Sequence, residues 1–299
     1  MTASVTDHVP SNRPTGREFV LTVSCPDQVG IVHAVSGAML AQDLTIVDSQ
    51  QFGDDVVGEF HLRMHLRRAG ESALPVEDLQ AAFTPVATEY SMHWHVRDLA
   101  LPHRVVIMVS KMGHCLNDLL FRVRTGQLGI EIAAIVSNHE DFRSLAQWHG
   151  VDFHHIPVTK DTKPGAEAKL RKIVDQSNAE TIILARYMQV LSEQMCSDYS
   201  GRIINIHHSL LPSFKGAKPY TQAHDRGVKV IGATAHYVTA DLDEGPIIEQ
   251  DFRRVDHRMS PADLSRVGQE QEAAALSRAV RWHAEQRIIL RGHRTIVFD

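Results

Sequence analysis

The stretch RVVIMVS, residues 104–110, is a short and almost continuous run of apolar residues. Such a run is typical of a strand that is buried on both faces, as the strands of a parallel sheet are. Further short runs follow, mostly with helical segments between them: EIAAIVS (131–137), FHHIPV (153–158), TIILA (181–185) and RIINIHH (202–208). Because strands that alternate with helices indicate an α/β architecture, we expect an open, mostly parallel, Rossmann-like sheet.

The last part of the chain departs from this alternation. KVIGATAHYV (229–238) and PIIEQDFRRV (246–255) follow one another without a helix between them, which predicts an antiparallel excursion of the sheet. A long helix is predicted from Ser260, a candidate N-cap, with Pro261 at the first helical position.

Residues 17–98 have a different pattern: a strand, a helix, two strands joined by a turn, a helix and a strand. This βαββαβ order predicts a ferredoxin-like domain, in which Pro85 is expected to kink or shorten the second helix. We therefore predict a flexible tail at 1–16, the ferredoxin-like domain at 17–98, a linker at 99–103 and the α/β domain at 104–299.

The composition of the 299-residue chain argues against several classes of protein. A hydrophobic fraction of 43% permits a sizeable core, and a net charge of −5 offers no electrostatic surface for nucleic acid or an anionic membrane. The chain has no apolar run of the roughly 18 residues that a membrane span needs. The polar N-terminal segment lacks the apolar centre of a secretory signal, so we expect a cytoplasmic protein.

The cysteines and histidines give no metal-binding or disulfide pattern. Cys25, Cys115 and Cys196 are an odd number, lie far apart and form no CxxC pair, which argues against a disulfide framework and a Cys-based zinc site. The 19 histidines include no HExxH segment. We expect no metal site.

Two polar segments are candidates for a catalytic site. Asn205 and His207 are two residues apart on a predicted strand, so both face the same side at the carboxyl end, where ligands bind in open α/β sheets. Together they can donate to one oxygen, as a developing oxyanion requires. A carboxylate in the loop of Asp241, Asp243 and Glu244 can take a proton, and its like-charged neighbours and partial burial predict a raised pKa for Asp243. From these residues alone, polar loop capping and a solvated acidic loop remain open as alternatives.

Together, NIHHSLLPSFKGAKPY (205–220) and GATAHYVTADLDEGPII (232–248) resemble the folate-dependent formyltransferase/hydrolase family. The resemblance implies that Asn205, His207 and Asp243 are its catalytic triad. ARYMQVLS (185–192) resembles the folate-pocket segment of that family. The folate-binding residues that this implies are Met188, Gln189, Val190, Leu191 and His236.

The acceptor side of the site resembles the hydrolytic branch of the family. SKMGHCLNDLL (110–120) stands where transferases carry a glycine-rich, phosphate-holding loop. The acceptor-side residues that the resemblance implies are Lys111, His114, Cys115 and His208, the last in place of a proline. Covalent catalysis by Cys115 is disfavoured, because it and His114 are adjacent at a helix start and rarely reach each other. We expect a packing or loop-shaping role instead, which narrows the pocket so that only water fits. His208 is expected to face away from Asn205 and His207.

SCPDQVGIVHAVSGAML (24–40) resembles the signature of the ACT domain, a regulatory ferredoxin-like module. The resemblance implies an amino-acid effector site with Asp27, Gln28 and Gly30, and a homo-oligomer, either a dimer or a tetramer. A purely structural dimerisation module remains the alternative.

The function that the resemblance implies is the hydrolysis of 10-formyltetrahydrofolate to formate and tetrahydrofolate, without a cofactor. It implies a supply of formate to purine biosynthesis and a balancing of one-carbon pools. Two rivals remain: a formyltransferase with an acceptor other than water, and a non-catalytic amino-acid or folate sensor. The release of formate without an acceptor would distinguish hydrolysis from the first rival. Folate binding without turnover would support the second.

Overall fold

The structure is a computed structural model and describes residues 16–69, 74–213 and 219–299. The chain divides into two compact units, Met1–Leu101 and Pro102–Asp299. The tail predicted at 1–16 lies outside the described residues except for Gly16, where the first strand begins. The first strand of the second unit begins at His103, inside the predicted linker.

The first unit has the predicted βαββαβ order. Its elements are β1 (Gly16–Pro26), α1 (Ile31–Leu40), β2 (Leu44–Asp54), β3 (Glu59–Ala69), α2 (Val76–Glu89) and β4 (His93–Asp98). The strands form an antiparallel sheet in the order β2-β3-β1-β4, which confirms the ferredoxin-like arrangement. Alternate β1 residues such as Phe19 and Leu21 pack with Phe83 of α2 in the core. The helix α2 runs on through Pro85, so Pro85 does not shorten it; the kink expected as the alternative stays a prediction.

The second unit is a seven-stranded α/β sheet in the order β11-β10-β9-β8-β5-β6-β7. Its elements are β5 (His103–Val109), α3 (His114–Arg124), β6 (Ile130–Ser137), α4 (Arg143–Trp148), β7 (Phe153–His155), α5 (Lys163–Gln176), β8 (Thr181–Leu184), α6 (Glu193–Asp198), β9 (Ile203–His207), α7 (Pro219–Asp225), β10 (Val230–Tyr237), β11 (Ile247–Arg254), α8 (Pro261–Ala284), β12 (Ile288–Arg291) and β13 (Arg294–Val297).

The direction of the strands follows the prediction. The strands β7, β6, β5, β8 and β9 are parallel, whereas β10 is antiparallel to both β9 and β11. The helix α8 begins with a capping box in which Ser260 and Asp263 bond each other's backbone N–H groups. The hairpin of β12 and β13 was not predicted.

The strand order creates a switch point between β5 and β8. From β5 the chain continues to β6 on one side of that strand and later returns to β8 on its other side. The loops that follow β5 and β8 therefore run in opposite directions and leave a crevice between them. Such a crevice is where open α/β sheets bind ligands. Ser110 follows β5, and its N–H donates to the carbonyl oxygen of Arg186 after β8 at 3.2 Å.

Candidate active site

A cavity of about 300 Å³ opens at the carboxyl ends of β8 and β9. The loop after β8, the end of β9 and the loop between β10 and β11 supply its walls. Asn205, His207 and Asp243 all line it, so the structure brings together the three residues that the sequence singled out. The two residues on β9 face the same side, as the alternation of a strand predicts.

His236 fixes the orientation of the Asn205 amide. His236 Nδ1 lies 2.9 Å from the carbonyl oxygen of Tyr237, and because that oxygen can only accept, Nδ1 carries the proton. His236 Nε2 therefore accepts, and the atom that faces it at 3.1 Å is the amide nitrogen of Asn205. Burial lowers the pKa of His236, which favours this neutral form. The second N–H of the same amide is left to donate to a ligand in the cavity.

One ring nitrogen of His207 contacts a carboxylate, and the other has no partner among the described residues. Its Nδ1 lies 3.3 Å from Oδ1 of Asp243. Its Nε2 is buried and has no hydrogen-bond partner among the described residues. A buried polar atom without a partner is costly unless a ligand satisfies it, so Nε2 is the ring atom available to a substrate oxygen.

The backbone around Asp243 is held in an unusual conformation. Asp243 has φ 57°, the left-handed region that side-chain-bearing residues rarely adopt. Two residues later, a Cβ on Gly245 would lie 1.8 Å from the carbonyl oxygen of Tyr237, so only glycine lets the loop pass this close to β10. The Tyr237 N–H donates to the carbonyl oxygen of Pro246 at 2.9 Å and closes the loop onto the strand.

The structure corrects the predicted pKa shift of Asp243. A hydrogen bond from His207 lowers the pKa of the Asp243 carboxyl and outweighs the burial that would raise it. The sequence led to the opposite prediction because it showed the acidic neighbours in the loop but not the histidine from β9. Asp243 is therefore ionised throughout the neutral pH range.

The predicted folate-binding residues all line the cavity: Met188, Gln189, Val190 and Leu191 from the loop after β8, and His236 from β10. Met188 and Val190 are more than half exposed, whereas His236 is buried. Both ring nitrogens of His236 are engaged by protein atoms, so its polar contacts orient Asn205 rather than a ligand.

Side-chain contacts hold both ends of the segment 188–192, the predicted folate-pocket segment. The Met188 N–H donates to Ser110 Oγ at 3.0 Å, and that hydroxyl donates to Asn138 Oδ1 at 2.7 Å. At the other end, the Ser192 N–H donates to Glu167 Oε1 at 2.7 Å, and its hydroxyl donates to the second oxygen of Glu167. These contacts hold the backbone of the segment in place beside the cavity.

His208 lies on the cavity, contrary to the prediction that it faces away. Its ring centroid is 5.0 Å from that of His207, and both rings line the cavity. The prediction failed because β9 ends at His207, so the alternation of a strand no longer applies. Burial, together with the charge of Arg186, lowers the pKa of His208 to about 4, which keeps the ring neutral near pH 7.

The other acceptor-side residues do not line the cavity. Lys111 is exposed in the loop before α3. His114 Nε2 donates to Oε2 of Glu272 at 2.9 Å. Cys115 is fully buried, and burial raises the pKa of its thiol well above the usual value, which disfavours a nucleophilic thiolate.

Sequence reasoning missed the cluster around Glu272. This carboxylate on α8 also accepts from the Tyr220 hydroxyl at 2.6 Å and lies 3.2 Å from Nε of Arg186. Burial raises its pKa, but the bonds from His114 and Tyr220 and the charge of Arg186 outweigh it, so the pKa is lowered. The sequence signal that could have revealed the cluster is a glutamate at a core-facing position of a helix, on the same buried face as Ala275 and Leu276. Glutamate is rarely buried unless it has partners.

His114, Cys115 and Glu272 could also be considered as metal ligands, since their donor atoms lie within 4.8 Å of one another. The guanidinium of Arg186 lies against the same Glu272 oxygen that His114 contacts. A second cation at that oxygen would be repelled by Arg186, so the residues do not fit a metal ion well.

In the first unit, the predicted effector residues lie in the loop between β1 and α1. Asp27 and Gln28 are exposed, and Gly30 is the N-cap of α1 with φ 99°. A Cβ on Gly30 would lie 3.0 Å from the Tyr90 hydroxyl. Glycine therefore fits both the left-handed backbone conformation and the limited space beside Tyr90. Effector binding at these residues stays a prediction.

Comparison with known proteins gives a consistent result. The formyl transferase family matches residues 103–280. A formyltetrahydrofolate deformylase from Corynebacterium sp. (strain P-1) is 53% identical over 93% of this chain and 97% of its own. The chain belongs to the formyltetrahydrofolate deformylase family. The deformylase of Bacillus subtilis is 45% identical over 100% of this chain and 99% of its own. The crystal structure of the deformylase from Burkholderia mallei has a TM-score of 0.89, 49% identity, and covers 95% of this chain and 100% of its own.

Membership of the deformylase family confirms the resemblance that the NIHHSLLPSFKGAKPY segment suggested. The family-level fold, an α/β sheet preceded by a sheet with helices compatible with an ACT domain, is confirmed as well. No helix in the described parts of the chain has both the length and the apolar character needed to cross a membrane.

Proposed function

We propose that Asn205, His207 and Asp243 carry out the hydrolysis of 10-formyltetrahydrofolate to formate and tetrahydrofolate, the reaction of the family to which the chain belongs. The observation that carries this proposal is the convergence of the three side chains on one cavity, with the Nε2 of His207 buried and unpartnered among the described residues.

Asn205 and His207 stabilise the negative charge that develops on the formyl oxygen. The amide of Asn205, oriented by His236, donates its second N–H. Protonated His207 donates from Nδ1 to Asp243 and from Nε2 to the oxygen. Two fixed donors aimed at one oxygen are the arrangement that stabilises a tetrahedral oxyanion.

Asp243 orders the attacking water and receives its proton. Its lowered pKa makes it a weak base toward free water, but a water molecule that bonds to the formyl carbon becomes strongly acidic. The proton then passes from Asp243 to N10, the C–N bond breaks, and formate and tetrahydrofolate leave. Neutral His208, which also lines the cavity, can donate to or accept from the water.

The clamped segment from Met188 to Leu191 binds the pterin-like ring of the folate. Its backbone presents donors and acceptors that side-chain contacts at both ends hold in place. The exposed side chains of Met188 and Val190 supply apolar contact area for the ring.

The proposed chemistry uses no metal and no cofactor. The leaving nitrogen N10 is aniline-like, so it departs more readily than an ordinary amine, and the protein groups supply the oxyanion donors and the proton transfer.

We also propose a role in metabolism and regulation. The formate released feeds purine biosynthesis and balances one-carbon pools, in the cytoplasm. The N-terminal unit acts as an ACT module that binds a small amino acid near Asp27, Gln28 and Gly30, in a homo-oligomer. The left-handed Gly30 between β1 and α1 supports this assignment, because it matches the ACT signature in the sequence.

The test is incubation of the purified protein with 10-formyltetrahydrofolate alone, with formate and tetrahydrofolate measured in parallel. Equal amounts of both products, without any amine acceptor, are expected from the wild type, and Asp243→Asn should release neither at a comparable rate. Formyl transfer only when an acceptor is added would favour a transferase, and folate binding without turnover would favour a sensor.

A further inference from the structure

Glu272 is a fully buried carboxylate on which three separate parts of the second unit converge. Its side chain is only 1% exposed. His114 from α3 and Tyr220 from α7 hydrogen bond to its two oxygens, at 2.9 and 2.6 Å. Arg186, from the loop after β8, places Nε 3.2 Å from the oxygen that His114 contacts. Each oxygen of Glu272 is thus used by a group from outside its own helix.

The helix that carries Glu272 leaves space for this contact. Gly268 lies one turn before Glu272, and a Cβ on it would lie 2.1 Å from the Tyr220 hydroxyl. Glycine is unfavourable in the interior of a helix. Its presence at this position is explained by the path that Tyr220 takes to reach the carboxylate.

The groups around Glu272 would attract an anion if the carboxylate were absent. Arg186 is 10% exposed, lines the active-site cavity beside His208, and has Glu272 as its ion-pair partner among the described residues. His114 and Tyr220 add two donors directed at the same place. A buried guanidinium with convergent donors is a strong site for a carboxylate or a phosphate.

We propose that Glu272 is a built-in anion that determines acceptor specificity. It occupies and neutralises the anion-binding capacity of His114, Arg186 and Tyr220, and so excludes acceptor molecules with an anionic group from the space beside His208, where water then remains the nucleophile. This inference rests on the proposed function, because it takes the adjacent cavity as the site of formyl hydrolysis.

The test replaces Glu272 and supplies an external anion. We expect the unfolding temperature of Glu272→Gln to be higher in inorganic phosphate than in potassium chloride at the same ionic strength and pH. The reason is that phosphate binds the folded state of this variant. The wild type should show only the small general stabilisation that phosphate gives a folded protein by exclusion from its surface. Glu249→Gln is the matched control, since it removes a mostly buried carboxylate that pairs with Arg278 away from the cavity.

Two further variants separate an anion site from a general effect of lost stability. Glu272→Asp keeps the charge and should respond to phosphate no more than the wild type does. Arg186→Met combined with Glu272→Gln removes the cation and should abolish the phosphate effect. A phosphate response that is equal in Glu249→Gln, or that persists without Arg186, would overturn the proposal, as would no response in Glu272→Gln.

If Glu272→Gln is recovered only in unfolded form, the same comparison is made during refolding. Recovery of folded protein in phosphate but not in chloride supports the proposal, and equal failure in both contradicts it. These measurements contain no folate substrate. A failure here is therefore distinguishable from a failure of the proposed function, which the formate assay on the wild type tests separately.

Discussion

His207 and Asp243 are in direct contact at the edge of the active-site cavity, with Nδ1 and Oδ1 3.3 Å apart, although one ends a strand and the other lies in a loop. This contact leaves Nε2 of His207 as the ring atom without a partner among the described residues, and it lowers the pKa of the Asp243 carboxyl. The proposed roles follow from this contact: His207 stabilises the oxyanion, and Asp243 accepts the proton of the attacking water.

The variant His207→Ala should lower turnover by roughly 100- to 1000-fold, because it removes one donor to the developing oxyanion. The measurement is kcat for formate release, with folate binding and the unfolding temperature as controls for the fold. A variant that keeps more than about half of the wild-type turnover would contradict this role for His207.

His208→Pro should impair hydrolysis less than His207→Ala does, and it provides a direct comparison between the two adjacent rings. His208 lines the cavity but is not part of the contact between His207 and Asp243, so its loss leaves the proposed oxyanion donors in place. The two kcat values are measured under the same conditions. Equal losses would refute the ranking.

Asp243→Asn should bind 10-formyltetrahydrofolate normally and turn it over at least about 100-fold more slowly, because an amide cannot accept the proton of the water. Binding is measured by equilibrium titration and turnover by formate release. Asp241→Asn is the matched comparison from the same loop, and its effect should be much milder. If Asp241→Asn were the more damaging change, the assignment of the base to Asp243 would fail.

The lowered pKa of Asp243 also predicts a pH dependence of stability. A carboxyl with a lower pKa in the folded state stabilises the fold above its unfolded pKa of about 3.9, and this contribution is lost as the pH falls through the folded value. The free energy of unfolding of the wild type, relative to Asp243→Asn, should therefore not fall between pH 7 and 5 and should decrease only below about pH 4. Urea unfolding across this range checks it, and a decrease already between pH 7 and 5 would count against it.

His236→Phe separates positioning from folate binding. Because both ring nitrogens of His236 contact protein atoms, the change should release the Asn205 amide and lower kcat by about 10- to 100-fold, a part of the effect of one oxyanion donor. The KM for 10-formyltetrahydrofolate should change little. A large rise in KM with kcat preserved would instead assign His236 to folate binding.

Gly245→Ala should destabilise the protein by about 1–3 kcal/mol, since the new methyl group collides with a backbone oxygen. That oxygen belongs to Tyr237 and also accepts from His236 Nδ1, so turnover should fall as well. Gly165→Ala is the control, because Gly165 lies in α5 with no atom within 4 Å of the added Cβ, and the change should stabilise by about 0.5–1 kcal/mol. Similar unfolding free energies for the two variants would contradict the close approach at Gly245.

The sequence by itself determined the order of the elements in the first unit and the succession of the strands β5 to β11, though not the hairpin of β12 and β13. It also singled out the candidate catalytic residues. Apolar runs such as RVVIMVS set the strands because burial on both faces requires continuous hydrophobicity. The spacing of Asn205 and His207 places them on one side of a strand through local backbone geometry alone. The N-cap at Ser260, with Pro261 at the start of the helix, is equally local, and the structure confirms it.

Only the tertiary structure decided properties that depend on contacts between distant residues. The pKa of Asp243 falls because His207 comes from another element, and His236 serves Asn205 because β10 pairs with β9. His208 joins the cavity because the strand ends one residue earlier. The contacts of Glu272 with His114, Tyr220 and Arg186 connect positions far apart in the chain, and no sequence period encodes them. Electrostatic energies depend on distance and burial in space, which only the folded chain defines.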